Sequence, residues 1–310
     1  MIVVRNSFVA ALSLVLLPLF LAGQSPAAPF TVAVNTSTIE AGPVYVAKAG
    51  PAGAGFRVVN GGVRNLGGDA QAATNAETQM LLATTANPKI RMLFTVAEGH
   101  YRIIGRKSAG ISALADLRGK KITTVPQTSA HYHLVKMLAS AGVQESDVTL
   151  VDVERTGMAR AVAGGMADAI SMWEPEAQKA FEALGPDVSV FQNPALYREL
   201  FSLYTTTEVL NDPKQRRELV AFVRAVLDGA EKVRNSPQEA ISIIARAINQ
   251  PEATIRSVWQ HHRFPAALPS EMLDVLTEEE RWVAKLQQRA PRTRDQLATF
   301  IDTSVLREAR

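Results

Sequence analysis

Bulky and small residues alternate over Phe30 to Asn35, the period of a β-strand, and the polar turn Thr36-Ser37-Thr38 closes the run. Gly42 to Ala49 reads as a short helix and Phe56 to Asn60, bounded by glycine, as a second strand. Thr74-Asn75-Ala76-Glu77 precedes an apolar run with the spacing of a capping box, which predicts a helix reaching about Ala86. Ile90 to Val96 and Tyr101 to Gly105 are apolar stretches of strand length. The order strand, helix, strand, helix, strand predicts an α/β sheet.

The alternation then starts again. Leu114 to Lys120 leads into a strand over Lys121 to Val125, and Gln127-Thr128-Ser129 opens a helix to about Ser140, closed by Gly142. Val148 to Val153 is a strand, Thr156 to Ala163 a helix and Ala167 to Trp173 a strand, after which Glu174-Pro175 marks another helix start. From Asp212 the pattern is helical almost throughout. Leu219, Phe222, Val223, Val226, Ala230 and Val233 form one apolar stripe, Ser236 to Glu239 is a second capping box, and Ser270 to Gln288 is a long helix. This C-terminal third is expected to buttress a body already formed.

Composition narrows the class. With 47% hydrophobic and 20% charged residues over 310 positions, the chain is neither disordered nor a bundle of membrane spans. The net charge of +3 comes from 33 basic and 30 acidic side chains, with no run of Lys and Arg to track a phosphate backbone, so no nucleic acid partner is expected. Arg5, the uncharged apolar stretch Phe8 to Ala22 and the small residues Ser25-Pro26-Ala27-Ala28 have the form of a secretory signal peptide, residues 1–27, cut after Ala27. The stretch is shorter than the ~20 residues a bilayer requires, and Pro18 interrupts it. No cysteine occurs, which excludes disulfides, thiolate metal sites, cysteine nucleophiles and a lipid-modified cysteine. The expected product is a periplasmic protein with no lipid anchor.

Four segments in order resemble the substrate-binding proteins of ABC importers for aliphatic sulfonates, taurine, nitrate and thiamine precursors. They are the export signal, Ile111 to Ile122 (ISALADLRGKKI), Thr128-Ser129-Ala130-His131, and Ala167 to Pro175 (ADAISMWEP). The resemblance implies a two-lobed α/β fold of the type II periplasmic binding protein class, each lobe a mixed sheet flanked by helices, with a C-terminal helical buttress. One lobe would take residues 28–105 and 205–310 and the other 106–204, with hinge crossovers near Arg106 and Leu203. It further implies a small organic anion or zwitterion, sulfonate- or taurine-like, caught between the lobes, and permease subunits as partners of a monomeric protein. The Gly-rich stretch Ala49 to Gly67 departs from the family by being abbreviated.

Candidate ligand residues follow from position as well as resemblance. Thr128 and Ser129 open a helix whose free N–H groups and dipole favour an anionic group, although Thr128 would also serve as a plain cap. His131 lines the cleft as a donor in this reading, and its pairing with His133 at i, i+2 gives no metal site. Trp173 and Glu174 end a strand, where ligands gather in open α/β sheets; the indole would wall in an apolar portion and the carboxylate accept from an amine or ring N–H. Ser37, Thr38, Asn75, Glu77, Glu98 and Tyr101 complete the expected set. If two of Glu77, Glu98 and Glu174 reach the ligand, a purely anionic molecule is repelled and a zwitterion or cationic heterocycle fits better. No nucleophile elbow, phosphate loop, zinc-protease motif or dinucleotide fingerprint is present, so neither an enzyme nor a cofactor is expected. The alternatives are a binder of a thiamine-precursor-like or aromatic heterocycle, an envelope sensor, and a pyrimidine-synthesis enzyme of the same fold, the last relying on cysteines that this chain lacks.

Overall fold

The structure, a computed structural model, describes residues 29–310, so the expected signal peptide lies outside the described residues. The strands are Phe30–Val34 (β1), Phe56–Asn60 (β2), Ala72–Asn75 (β3), Ile90–Gly99 (β4), Arg102–Arg106 (β5), Lys121–Thr123 (β6), Thr149–Leu150 (β7), Ala169–Met172 (β8), Val188–Phe191 (β9), Glu199–Thr206 (β10) and His262–Arg263 (β11). The helices are Gly42–Ala49 (α1), Glu77–Ala83 (α2), Ser129–Ser140 (α3), Met158–Ala163 (α4), Glu176–Leu184 (α5), Thr207–Asn211 (α6), Pro213–Asn235 (α7), Pro237–Ala247 (α8), Glu252–Val258 (α9), Met272–Leu286 (α10), Arg294–Ala298 (α11) and Ser304–Ala309 (α12).

Two mixed sheets result, ordered β11-β4-β10-β3-β1-β2 and β7-β6-β8-β5-β9, each flanked by helices. In the first, β1 runs parallel to β2 and β3 while β10 runs antiparallel to β3 and β4. In the second, β6 is parallel to β7 and β8, and β5 is antiparallel to β8 and β9. The α/β class read from the sequence is therefore the class observed.

The chain leaves the first sheet at His100 and Tyr101 and returns over residues 192–198. Both crossings come earlier than the expected ones near Arg106 and Leu203. Residues 102–105 hydrogen-bond to β8 and β9, and β10 lies wholly in the first sheet. Long-range pairing decides which sheet a strand joins, and local alternation carries no record of it. Neither capping box forms. Thr74 lies in β3 with an unpartnered hydroxyl, α2 begins after Ala76, and Ser236 precedes α8 without a side-chain bond to its backbone.

The apolar stripe of α7 is buried as its spacing predicts, and each Val, Leu or Phe taken out of water stabilises by ~1.5–3 kcal/mol. It packs on α1 where Gly229 has no side chain: a Cβ there would lie 2.3 Å from the carbonyl oxygen of Pro43 and 3.2 Å from the amide nitrogen of Ala47. The C-terminal helices also reach the second sheet's side. Glu278 of α10 pairs with Lys136 of α3, and Trp282 packs against His131 and Tyr132 with ring centroids 5.4 and 5.2 Å apart.

Gly229→Ala should therefore lower unfolding stability by ~1–3 kcal/mol, the usual cost of overpacking, with a fall of several degrees in melting temperature. Gly55→Ala, whose Cβ would meet nothing within 4 Å, is the control. Equal melting temperatures for both variants would show that α1 and α7 are not in such close contact.

Candidate functional site

Between the two sheets lies a cavity of about 430 Å³, a size suited to a small ligand. Thr38, Glu40, Asn75, Glu199 and Phe201 reach it from the first sheet's side, and Thr124, Thr128, Ser129, Arg155 and Trp173 from the second's. Tyr101 enters at the crossing.

The first wall is acidic. Glu199 opens β10 directly opposite Gly99, the last residue of β4. A Cβ at Gly99 would stand 3.0 Å from Glu199 Oε2 and 3.1 Å from Glu40 Oε1, so the missing side chain is what lets the two carboxyl groups converge. Glu40 is 1% and Glu199 4% exposed, yet both oxygens of Glu40 and Oε2 of Glu199 have no hydrogen-bond partner. Ser129 Oγ lies 3.4 Å from Glu199 Oε1 and 2.9 Å from the Tyr101 hydroxyl. Burial holds the Glu199 carboxyl well above the usual carboxylate range, with the charges of Glu40 and Glu77 adding to the effect. Tyr101 is pushed up in the same way, first by burial and then by Glu199 and Glu40.

The opposite wall offers donors. Trp173 Nε1 and Thr124 Oγ1 are buried without partners, and the N-terminus of α3 opens beside them. Thr128 sits at the N-cap position, but its hydroxyl donates to the Val125 carbonyl at 2.7 Å, leaving the first N–H groups of α3 without a side-chain cap. Before it, Gln127 takes a left-handed φ of 58°, a conformation that costs a non-glycine residue ~1–3 kcal/mol. Two bonds hold it there. Its N–H donates to His131 Nδ1 at 3.2 Å, and its carbonyl accepts from Gln79 Nε2 at 2.8 Å, from across the cavity.

Of the residues singled out in the sequence, Thr38, Asn75, Tyr101, Thr128, Ser129 and Trp173 meet at this cavity. The others do not. Ser37 turns its hydroxyl to Asn35 Oδ1 at 2.7 Å. Glu77 is fully buried and accepts from the Tyr197 hydroxyl at 3.0 Å and the Leu200 N–H at 2.9 Å, so it ties α2 to β10 instead of facing a ligand. Glu98 pairs with Arg198 at 3.3 Å, away from this cavity. His131 accepts from Gln127 at Nδ1, which places its proton on Nε2, 3.0 Å from Glu145. Glu174 is a buried ion-pair partner of Arg102 at 2.6 Å and accepts from the Gln178 N–H at 3.0 Å; burial pushes its carboxyl up while Arg102 opposes the shift. The expected hydroxyl donors also need correction, since Thr128 donates to Val125 and Ser129 faces Glu199 and Tyr101.

Glu40, Glu199, Thr124 and Arg155 were not among the sequence candidates. Their signal is positional: Glu199 stands at the polar head of an apolar run, Leu200 to Tyr204, as Glu98 does at the tail of another. Only the pairing of those runs shows which carboxylate faces inward.

The family model described as NMT1/THI5 like matches residues 65–240, more than half of the chain. A Brucella abortus (strain 2308) protein described only as a binding protein is 24% identical over 201 residues, 60% of this chain and 61% of that protein. The chain thus aligns with about three fifths of that relative's length. The periplasmic aliphatic sulphonate binding protein SsuA of Escherichia coli superposes with a TM-score of 0.70 at 16% identity, over 86% of this chain and 91% of its own. The desulfurization enzyme DszB, in complex with biphenyl-2-sulfinic acid, gives 0.63 at 16% identity, over 91% and 98%. At these identities the structural likeness establishes the periplasmic binding protein fold.

The buried acids have a consequence for stability. Burial raises Glu199, Glu77 and Glu279 above the range of an unfolded glutamate, about 4.3, so the folded chain binds more protons than the unfolded one above that pH. Their contribution is complete below about pH 4.3 and is lost as pH rises through the folded values. Burial holds His100, His133 and His261 down to about 4, 3 and 4, and these add the opposite slope below about pH 6.5 in any variant that keeps them. The test is therefore the difference between proteins: in urea unfolding above pH 5, Glu199→Gln should lack the falling contribution of Glu199, worth up to ~1.4 kcal/mol per pH unit. An identical slope in the variant would mean that Glu199 titrates normally in the folded protein.

Proposed function

This chain belongs to the NMT1/THI5-like family, and on that premise we propose that it is the exported substrate-binding protein of an ABC importer, closing on a small zwitterion of the aminosulfonate class. The observation that carries the reading is the opposition of unpartnered acceptors on Glu40 and Glu199 to unpartnered donors on Trp173 and Thr124 across one cavity. An amine or other N–H-rich group satisfies the first wall. A sulfonate or similar acceptor satisfies the second, where the N–H groups of α3 add a positive potential. A simple anion would leave buried acids facing it without compensation.

Binding without turnover is part of this proposal. Ser129 Oγ is engaged within the wall itself, 2.9 Å from the Tyr101 hydroxyl and 3.4 Å from Glu199 Oε1, whose carboxyl burial holds above the usual range. Among the described residues no helix is long and apolar enough to cross a membrane. In this reading the protein works in the periplasm as a monomer and hands its ligand to permease subunits. A second ligand class, an amino-substituted aromatic heterocycle, is favoured by the rings of Trp173, Tyr101 and Phe201 on the cavity wall.

A thermal-shift comparison of taurine with ethanesulfonate, which lacks the amine, tests the proposal. At 100 times its dissociation constant taurine should add ~2.7 kcal/mol of stability, while ethanesulfonate should bind at least about tenfold more weakly. Glu40→Gln and Glu199→Gln should each weaken taurine by about tenfold or more, since a hydrogen bond to a charged group contributes ~1.5–3 kcal/mol. Thr128→Ala should leave affinity nearly intact. Equal binding of the two sulfonates, or wild-type affinity in both glutamine variants, would remove the acidic wall from recognition; binding of 4-aminopyrimidine alone would select the heterocycle.

A further inference from the structure

A second cavity of about 470 Å³ lies on the far side of Glu40, with Glu98, Arg234, Trp259, His262, Arg263 and Phe264 in its wall. His262 joins it to the ligand cavity. Its side chain is buried, and its Nε2 stands 3.5 Å from Glu40 Oε1. The register of the first sheet fixes this placement, because His262 of β11 and Glu199 of β10 both pair with Gly99 from opposite sides.

The proton inventory of the imidazole is constrained. Nδ1 lies 3.2 Å from the Val258 carbonyl, which can only accept, so Nδ1 carries a proton. In a neutral ring Nε2 would then point a lone pair at a carboxylate oxygen 3.5 Å away, with both side chains buried. A proton on Nε2 turns that contact into attraction. The distance is that of an ion pair without hydrogen-bond alignment, which is why the Glu40 oxygens remain open toward the ligand cavity.

The surrounding charges permit a cationic His262. Burial, then Arg263, holds His100 down to about 4, and burial, then Arg102, holds His261 down to about 4, so both neighbouring imidazoles are neutral at pH 7. Arg102 is paired with Glu174, and Arg198 with Glu98 and Glu271. Arg234 donates to the Phe264 carbonyl at 2.6 Å, and Arg263 is exposed.

We propose that His262 faces Glu40 as a doubly protonated, cationic ring, and that a residue outside the ligand cavity thereby keeps Glu40 ionised and sets the cavity's preference for ligands bringing N–H donors. His262 is in this sense a positioning residue. Without its charge, two buried carboxyl groups converging beside Gly99 cannot both ionise, and Glu40 takes up a proton of its own. The cavity then loses its discrimination against simple anions.

The inference rests on the ligand cavity proposed above, but its first test needs no ligand. Long-range proton–nitrogen spectra of the ¹⁵N-labelled protein at pH 7, where the chain has only five histidines to assign, should show both ring nitrogens of His262 protonated in the wild type. In Glu40→Gln only Nδ1 should carry a proton. A singly protonated His262 in the wild type, or no change in Glu40→Gln, overturns the proposal. For His262→Gln, taurine affinity should fall about fivefold or more at pH 7 and recover toward pH 8, where taurine is still a zwitterion, while affinity for ethanesulfonate rises; an unmoved pH profile also overturns it. If taurine fails to bind the wild type at all, the ligand assignment falls while the spectra still decide the role of His262, as they do if His262→Gln does not fold.

Discussion

The antiparallel pairing of β4 with β10 is the constraint on which the site depends. Its register runs from Ile90 opposite Thr206 to Gly99 opposite Glu199, so the ladder ends where the chain crosses between sheets. The cavity opens at that end. Side chains two apart share a face of a strand, and Glu199 and Phe201 accordingly reach the cavity together. Two shifts of register, at Phe201/Ser202 and Leu203/Tyr204, are irregularities of the kind that let long strands bend without losing their pairing.

The fold was legible in the sequence to the extent that it is local. Alternation marks β1 and β2, and the helical period of α7 marks the face that covers them. What local patterns could not show was partnership. Arg102–Arg106 has the same strand signal whichever sheet it joins, and only its bonds to β8 and β9 assign it. The site divides in the same way. Residues at strand ends and helix starts, such as Tyr101, Ser129 and Trp173, were found because ends are where cavities form. Glu77, Glu98 and Glu174 were plausible acids with other occupations, a buried tie to β10, an ion pair to Arg198 and an ion pair to Arg102. Glu40 and Glu199 took their place because Gly99 leaves room for them, a fact about the third dimension.

One fold accommodates both the binding protein SsuA and the enzyme DszB. Architecture therefore leaves function open, and the chemistry of the cavity has to decide. Here burial pushes up the carboxyl of Glu199 and the phenol of Tyr101, while acceptors without partners on one wall face donors without partners on the other, which the dipolar ligand proposed above would satisfy. An unpartnered buried acceptor is costly in a folded chain, of the order of 1–3 kcal/mol or more for a charged group, and a ligand recovers that energy on entry. Affinity and the instability of the empty site are then two aspects of one arrangement.

The placement of the tryptophans gives the molecule an optical property. Of the three in the chain, Trp173 stands on the cavity wall with a free N–H, Trp259 lies against Phe264 beside the second cavity, and Trp282 packs on the flank of α3. An indole's emission follows the polarity around it, and of the three only Trp173 borders this cavity. Its emission would respond to whatever fills the cavity, with two further indoles outside as an internal reference.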